Sequence, residues 1–166
     1  MRLIKSFTLI EVITAIFLIT VGIAGVSGLI SQLITSSTVS SQKLIAAYLA
    51  QEGIEIVRNI RDTNLLEGDT WDEGLNTAEC QNGCEADYTF ANQTDPFLPA
   101  FGAGRFLNIA GNRFYSYSAG IQTIFKRKIT ITKPQDNILE TRVQISWQEK
   151  GRSHQLTAQE NLYNWR

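Results

Sequence analysis

Apolar residues fill the chain from Phe7 to Ile34 almost without a break, and Glu11 is the only charged residue among them. A run of about 28 residues exceeds the roughly 20 that one helix needs to cross a hydrocarbon core. The Ser- and Thr-rich stretch from Ser31 to Gln42 reads as the exit from that core, and after it the pattern changes. Ile45, Leu49, Gly53, Ile56 and Ile60 recur at spacings of three and four, while Gln51, Glu55, Arg58 and Asp62 take the opposite side. This is an amphipathic helix with one seam to bury. Glu55 with Arg58, and Arg58 with Asp62, are spaced for modest ion-pair support on the wet side. Proline first occurs at Pro96, so one helix is expected from Phe7 to about Asp62. Some 55 residues at 1.5 Å each would make it about 80 Å long. Gly53 reads either as a tolerated helical glycine or as a point where a strand can approach the seam closely.

Beyond Asp62 the helical pattern stops. Asn64 to about Phe101 is rich in Gly, Asn, Asp and Thr, which predicts a long irregular connection with one short strand at Asp87–Ala91. The last third alternates as strands do. Phe114–Tyr117 is a short aromatic strand. Thr123–Thr132 sets Phe125, Ile129 and Ile131 on one face, with Lys126, Lys128 and Thr130 on the other and Arg127 opposite the two lysines. Thr141–Gln148 turns Val143, Ile145 and Trp147 inward, and a last strand runs from about Ser153 to Asn161. Pro134–Asn137 and Glu149–Arg152 supply the turns. The expected fold class is α+β: a long N-terminal α-helix, its apolar half in a membrane, with a C-terminal antiparallel β-sheet of three or four strands packed on its outer half. The divisions expected are a leader (1–6), a transmembrane half (7–34), an amphipathic half (35–62) and a head (63–166) made of a loop region (64–105) and a sheet (106–166). The roughly 100 residues after Thr63 suffice for a small core of their own.

Charge sharpens the picture at the N-terminus. Arg2 and Lys5 precede the apolar run and the next basic residue is Lys43, which predicts a cytoplasmic N-terminus. The formal charge of −1, falling to −3 without Arg2 and Lys5, argues against a polybasic surface. Glu11 is the anomaly, because a lone carboxylate in a membrane helix costs roughly 2.5–3.5 kcal/mol on insertion scales and calls for a partner. Two plainer readings stand beside a functional one: a signal peptide cut after Gly22-Ile23-Ala24, or a signal anchor with an incidental Glu. A Glu inside the hydrophobic region and the unbroken apolar pattern past Ala24 count against the first.

Lys5-Ser6-Phe7-Thr8-Leu9-Ile10-Glu11-Val12 resembles the start of type IV prepilins and type II secretion pseudopilins, with Ser6 where that family usually has Gly. The resemblance implies a pilin-like fold and cleavage by a prepilin peptidase between Ser6 and Phe7, with methylation of the new Phe7 amine. It implies that Glu11 pairs with the Phe7 amine of a neighbouring subunit in a filament. Many pilins carry a helix-breaking proline in the apolar half; Gly22, Gly25 and Gly28 are the substitute weak point here, unless they serve only close helix packing. Ala50-Gln51-Glu52-Gly53-Ile54-Glu55, with a closing strand like Val143–Trp147, resembles minor pilins, and the 64–105 loops would then be the variable surface. The function implied is that of a minor structural subunit of a type IV pilus or similar filament. Its partners would be other pilin subunits, the peptidase, an inner-membrane assembly platform, and membrane lipid before assembly. The implied location is the cytoplasmic membrane, then an extracellular or periplasmic filament. Alternatives are a minor pseudopilin of a type II secretion system, a DNA-uptake or adhesive tip pilin, and a membrane-anchored extracellular binding protein or enzyme.

Cys80 and Cys84 are the two cysteines, and an even count outside the cytoplasm reads as a disulfide, with a free thiol pair or a metal site as alternatives. Asn82-Gly83 can turn the chain between them, so the bridge would rigidify a surface excursion. Metal would need about four ligands, and the single histidine, His154, is remote in sequence. No cofactor is expected. Asp69, Asp72, Glu73 and Asp87 match no calcium-loop spacing and read as a solvated acidic loop. Gly102-Ala103-Gly104 lacks the rest of a phosphate-cradling motif. Lys126-Arg127-Lys128, with Arg105 and Arg113, is a thin basic patch that supports nucleic acid only weakly. No nucleophile–base set emerges, so catalysis is not expected.

Overall fold

The structure, a computed structural model, describes residues 8–90, 98–102 and 104–165. The leader, Ser6 and Phe7 lie outside these, as does Ala91 at the end of the short strand expected near Asp87. The chain divides into two compact units, one ending at Gln42 and the other starting at Lys43. Helix α1 (Leu9–Glu67) contributes to both. It is followed by α2 (Ala78–Asn82), β1 (Asn108–Ile109), β2 (Tyr115–Ser116), β3 (Ile121–Gln122), β4 (Lys126–Gln135), β5 (Ile138–Glu149) and β6 (Arg152–Tyr163).

In the first unit, α1 exposes Leu9, Phe17, Leu29 and Leu33 alike, so no side of it is reserved for a protein core. The segment is long and apolar enough to cross a membrane. Its hydroxyls are satisfied internally: Thr14 and Thr20 donate to the carbonyls of Ile10 and Ile16, and Ser27 to that of Ile23. Such back-bonding removes the cost of an unpaired hydroxyl in an apolar setting.

In the second unit, the seam of α1 is buried. Leu49, Gly53, Ile56 and Ile60 are joined there by Ala46, Ala50 and Val57. The helix runs five residues beyond Asp62 because Leu65 continues the seam. It stops at Gly68, whose φ of 89° suits a left-handed cap, and the Gly68 and Asp69 N–H groups both donate to the Asn64 carbonyl. Asn64 in turn donates from its side chain to the Glu73 carbonyl, folding the loop back.

The main sheet is an antiparallel meander in the order β4-β5-β6. Alternation decides its faces: Leu139, Thr141, Val143, Ile145 and Trp147 are buried, as are Ile129 and Ile131. These pack with the α1 seam into one core, to which both the helix and the head contribute. The β5–β6 turn falls at Lys150-Gly151, both with positive φ (47° and 78°), as a two-residue hairpin requires. The β4–β5 turn tightens to Asp136-Asn137, and Pro134 sits in a register irregularity between Thr132 and Gln135, where a missing N–H is tolerated. Tyr115–Ser116 is a strand as expected, but it belongs to a second small sheet, β2-β1-β3, and not to the meander.

Three local expectations are corrected. Asp87 opens a turn and not a strand: Phe90 N–H donates to its carbonyl, and its side chain accepts from Thr89 N–H and Oγ1. β4 begins at Lys126 and not Thr123, because Thr123 is drawn to the Leu107 carbonyl by both its N–H and its hydroxyl. Asp62 makes its close ion pair with Arg61, at 2.7 Å, and acts on Arg58 only as a more distant favourable charge.

Candidate functional site

Glu11 lies in the first turn of α1, and Thr8 immediately precedes that turn. The Glu11 N–H donates to the Thr8 carbonyl at 3.1 Å and approaches Thr8 Oγ1 at 3.4 Å. Thr8-Leu9-Ile10-Glu11 therefore has the spacing of a capping box, a signal available in the sequence but not used there. A carboxylate in this position also meets the positive end of the helix dipole, which offsets part of its cost. Gly22, Gly25 and Gly28 lie within α1, which runs through all three as regular helix. Nothing stands within 4 Å of where their Cβ atoms would be.

Cys80 and Cys84 form a disulfide with Cα atoms 4.6 Å apart. Both are fully buried, which corrects the expected surface excursion. Thr77 caps α2 by accepting from Cys80 N–H. Cys84 joins the edge of β4 through two main-chain bonds with Ile129, of 2.7 and 2.9 Å. The disulfide thus fastens α2 to the sheet. Gly83 between them has φ 119°, and a side chain there would run into Lys128.

The basic cluster is dispersed by the fold. Arg127 is fully buried and ties three segments together. Its guanidinium donates to the Leu49 carbonyl on α1 (3.1 Å) and the Ala86 carbonyl in the loop (2.6 Å), and pairs with Glu52 at 3.1 Å. Tyr117 Oη donates to the Arg127 carbonyl, and burial raises its phenol above the ordinary value. Arg105 pairs with Glu85 at 2.8 Å and covers the Tyr117 ring. Lys126 Nζ lies 4.5 Å from the Phe106 ring centroid. Burial raises the Glu85 carboxyl as well, against the lowering effects of the Gly102 N–H and Arg105. The alternation of β4 had already put Arg127 on the face of Ile129 and Ile131. Its partners could not be read, because Glu52 and Ala86 are distant in sequence.

Two residues of the acidic loop are structural and not solvated. Asp72 is 9% exposed and pairs with Lys133 at 2.9 Å. Asp87 is 3% exposed and accepts from Tyr117 N–H. His154 stacks on Trp147, its partner across the β5–β6 ladder, with ring centroids 5.4 Å apart. Among the described residues no group of three or more His, Cys, Asp or Glu side chains is arranged to hold a metal ion.

The chain is thus an α+β protein, with one N-terminal helix long and apolar enough to cross a membrane and an antiparallel sheet in its C-terminal third. No protein-family model, curated protein or solved structure matches it.

Proposed function

We propose that the protein is a structural subunit, of the minor kind, of a type IV pilus or pilus-like filament, made as a prepilin and held in the cytoplasmic membrane with its N-terminus inside until assembly. The observation that carries this reading is a lone carboxylate, Glu11, in the first turn of α1 and the only charge in the apolar run from Phe7 to Ile34. A plain anchor gains from a charge there only what capping of its first turn supplies, whereas a helix that must dock against like helices at one offset also gains register from it. Pairing Glu11 with the Phe7 ammonium of a neighbour would make that offset far better than any that leaves the carboxylate unpaired. An α+β head built on the outer half of the same helix suits a subunit whose apolar half is used for bundling.

Intact-mass and N-terminal peptide mass spectrometry of the protein from its native membrane or sheared filaments tests the proposal. A chain beginning at a methylated Phe7 is expected. A chain beginning at Met1, or just after Ala24, would end it in favour of an anchored or secreted head.

A further inference from the structure

Among the described residues, the main sheet has one closed edge and one open edge. The outer edge of β4 is engaged by Cys84 and distorted at Pro134. β6 pairs with β5 in unbroken register over twelve residues and contains neither Lys nor Pro, two common guards of an edge strand.

Which β6 groups face outward follows from one bond. The Asn164 N–H donates to the Asn137 carbonyl at 3.0 Å, which makes that pair hydrogen-bonded. Hydrogen-bonded pairs recur at every second residue of an antiparallel ladder. Even-numbered β6 residues therefore bond to β5, and Ser153, Gln155, Thr157, Gln159 and Asn161 present their N–H and C=O groups outward. The next odd carbonyl, that of Tyr163, is used by Arg61 of α1 at 3.2 Å, as expected of a group facing away from β5.

Below this edge lies a cavity of about 260 Å³ between α1 and β6, walled by Ala47, Gln51 and Ile54 on the helix and Leu156 and Ala158 on the strand. Beside it, Glu55 and Glu160 share one cation, Arg58. Arg58 and Glu160 mark the far limit of the apolar stretch. A fourth strand added along Ser153–Gln159 would satisfy the outward groups and lay alternate side chains into the cavity.

We propose that β6 is completed by a strand of a different polypeptide. That strand would have small apolar residues at alternate positions and a Lys or Arg facing the surplus carboxylate at Glu55. A second copy is the less suitable occupant. Gly53 lies against Val143, the partner of Ala158, while Arg58 reaches Glu160 and Arg61 reaches Tyr163, so α1 and β6 advance together. Antiparallel pairing of two β6 strands would run the two α1 helices in opposite senses, which one membrane surface does not accept. Parallel pairing would bring up a strand, Ser153–Asn161, with no Lys or Arg to meet the carboxylate at Glu55. This choice of occupant rests on the membrane reading above; the open edge does not.

Residue-resolved hydrogen exchange of the full chain, in detergent as a monomer and in its native membrane, tests both parts. In detergent, the odd-numbered amides from Ser153 to Asn161 should exchange fast and the even-numbered ones slowly. In the native membrane the odd-numbered amides should slow about tenfold or more. Thr157→Pro or Thr157→Lys should abolish that slowing and leave the even-numbered amides protected, since neither removes a bond to β5. Odd-numbered amides that stay fast in the native membrane would overturn the proposal. A photocrosslinker at Gln155 or Gln159 then identifies the occupant. Adducts confined to one alternating segment of another protein, lost in Thr157→Lys, are expected. Adducts to β6 of a second copy would overturn the choice of partner. The N-terminal mass is read separately, so failure of the filament reading and failure of the strand reading are distinguishable.

Discussion

A Cβ atom on Gly53 would lie 2.8 Å from Cγ1 of the buried Val143, closer than any real contact allows. α1 approaches β5 here because glycine leaves the room, and the same side of Gly53 meets Arg127 Cδ. Gly53→Val should therefore destabilise the head by roughly 2 kcal/mol or more, through overpacking and a β-branched residue in a helix. Gly25→Ala, with open space at its Cβ, should be neutral or stabilising, since alanine is favoured over glycine in a helix by about 1 kcal/mol. Chemical denaturation of the full chain in detergent reads both, the first by Trp fluorescence, since all three tryptophans lie in the head, and the second by far-UV circular dichroism of the helix. Equal stability of Gly53→Val and the parent would contradict the close approach.

Arg127 is held by carbonyls on two segments and by Glu52, so its removal should cost more than the loss of one ion pair. Arg127→Ala leaves the Leu49 and Ala86 carbonyls without this donor and opens a cavity; a cost of about 3–5 kcal/mol is expected. Arg127→Lys should recover only part of it, because a single ammonium does not reproduce the guanidinium fork. The comparison of the two unfolding midpoints is the measurement, and full rescue by Lys would show that charge alone matters.

The disulfide closes a very short loop, for which chain-entropy arguments give a stabilisation of about 2 kcal/mol. Cys80→Ala with Cys84→Ala should lower stability by about that amount. Hydrogen exchange should speed up first in Ala78–Asn82 and at Cys84, the groups that the bridge holds to β4. Unchanged exchange there would mean that Thr77 and Ile129 suffice.

Glu85 is fully buried with its pKa raised, chiefly by burial. For a carboxyl raised on folding, the contribution to stability is fully present below its unfolded value, about 4.3, and is lost as pH rises through the folded value. Glu85→Gln keeps an acceptor for the Gly102 N–H and removes this loss. The variant should match or exceed the parent at pH 7 and fall behind it only in acid. Thermal midpoints across pH 4–8 would show it; a variant weaker than the parent at pH 7 would mean that the Arg105 pair outweighs burial.

Glu11→Leu tests the proposed assembly role directly. Membrane insertion should be unaffected, since the substitution removes a cost of roughly 2.5–3.5 kcal/mol. Incorporation into filaments should fall, and fractionation of membranes against sheared filaments separates the two effects. Normal incorporation would remove Glu11 from that role.

The sequence by itself determined the long helix and the strands of the main sheet, but not the short α2, β1 and β3. An apolar run, a seam at spacings of three and four, and strict alternation near Val143 and Leu156 each record a local period. A period is a property of neighbours in the chain, so it is legible without the fold. Even Arg127 could be placed on the apolar face in this way, and Gly53 on the seam. Only the tertiary structure decided what those positions meet: Val143 against Gly53, Glu52 and Ala86 around Arg127, Ile129 beside Cys84. It also took Asp72 and Asp87 out of solvent, through Lys133 and Tyr117. These pairings join residues tens of positions apart, and they depend on how helix, loop and sheet fill one shared core. No local pattern encodes that packing.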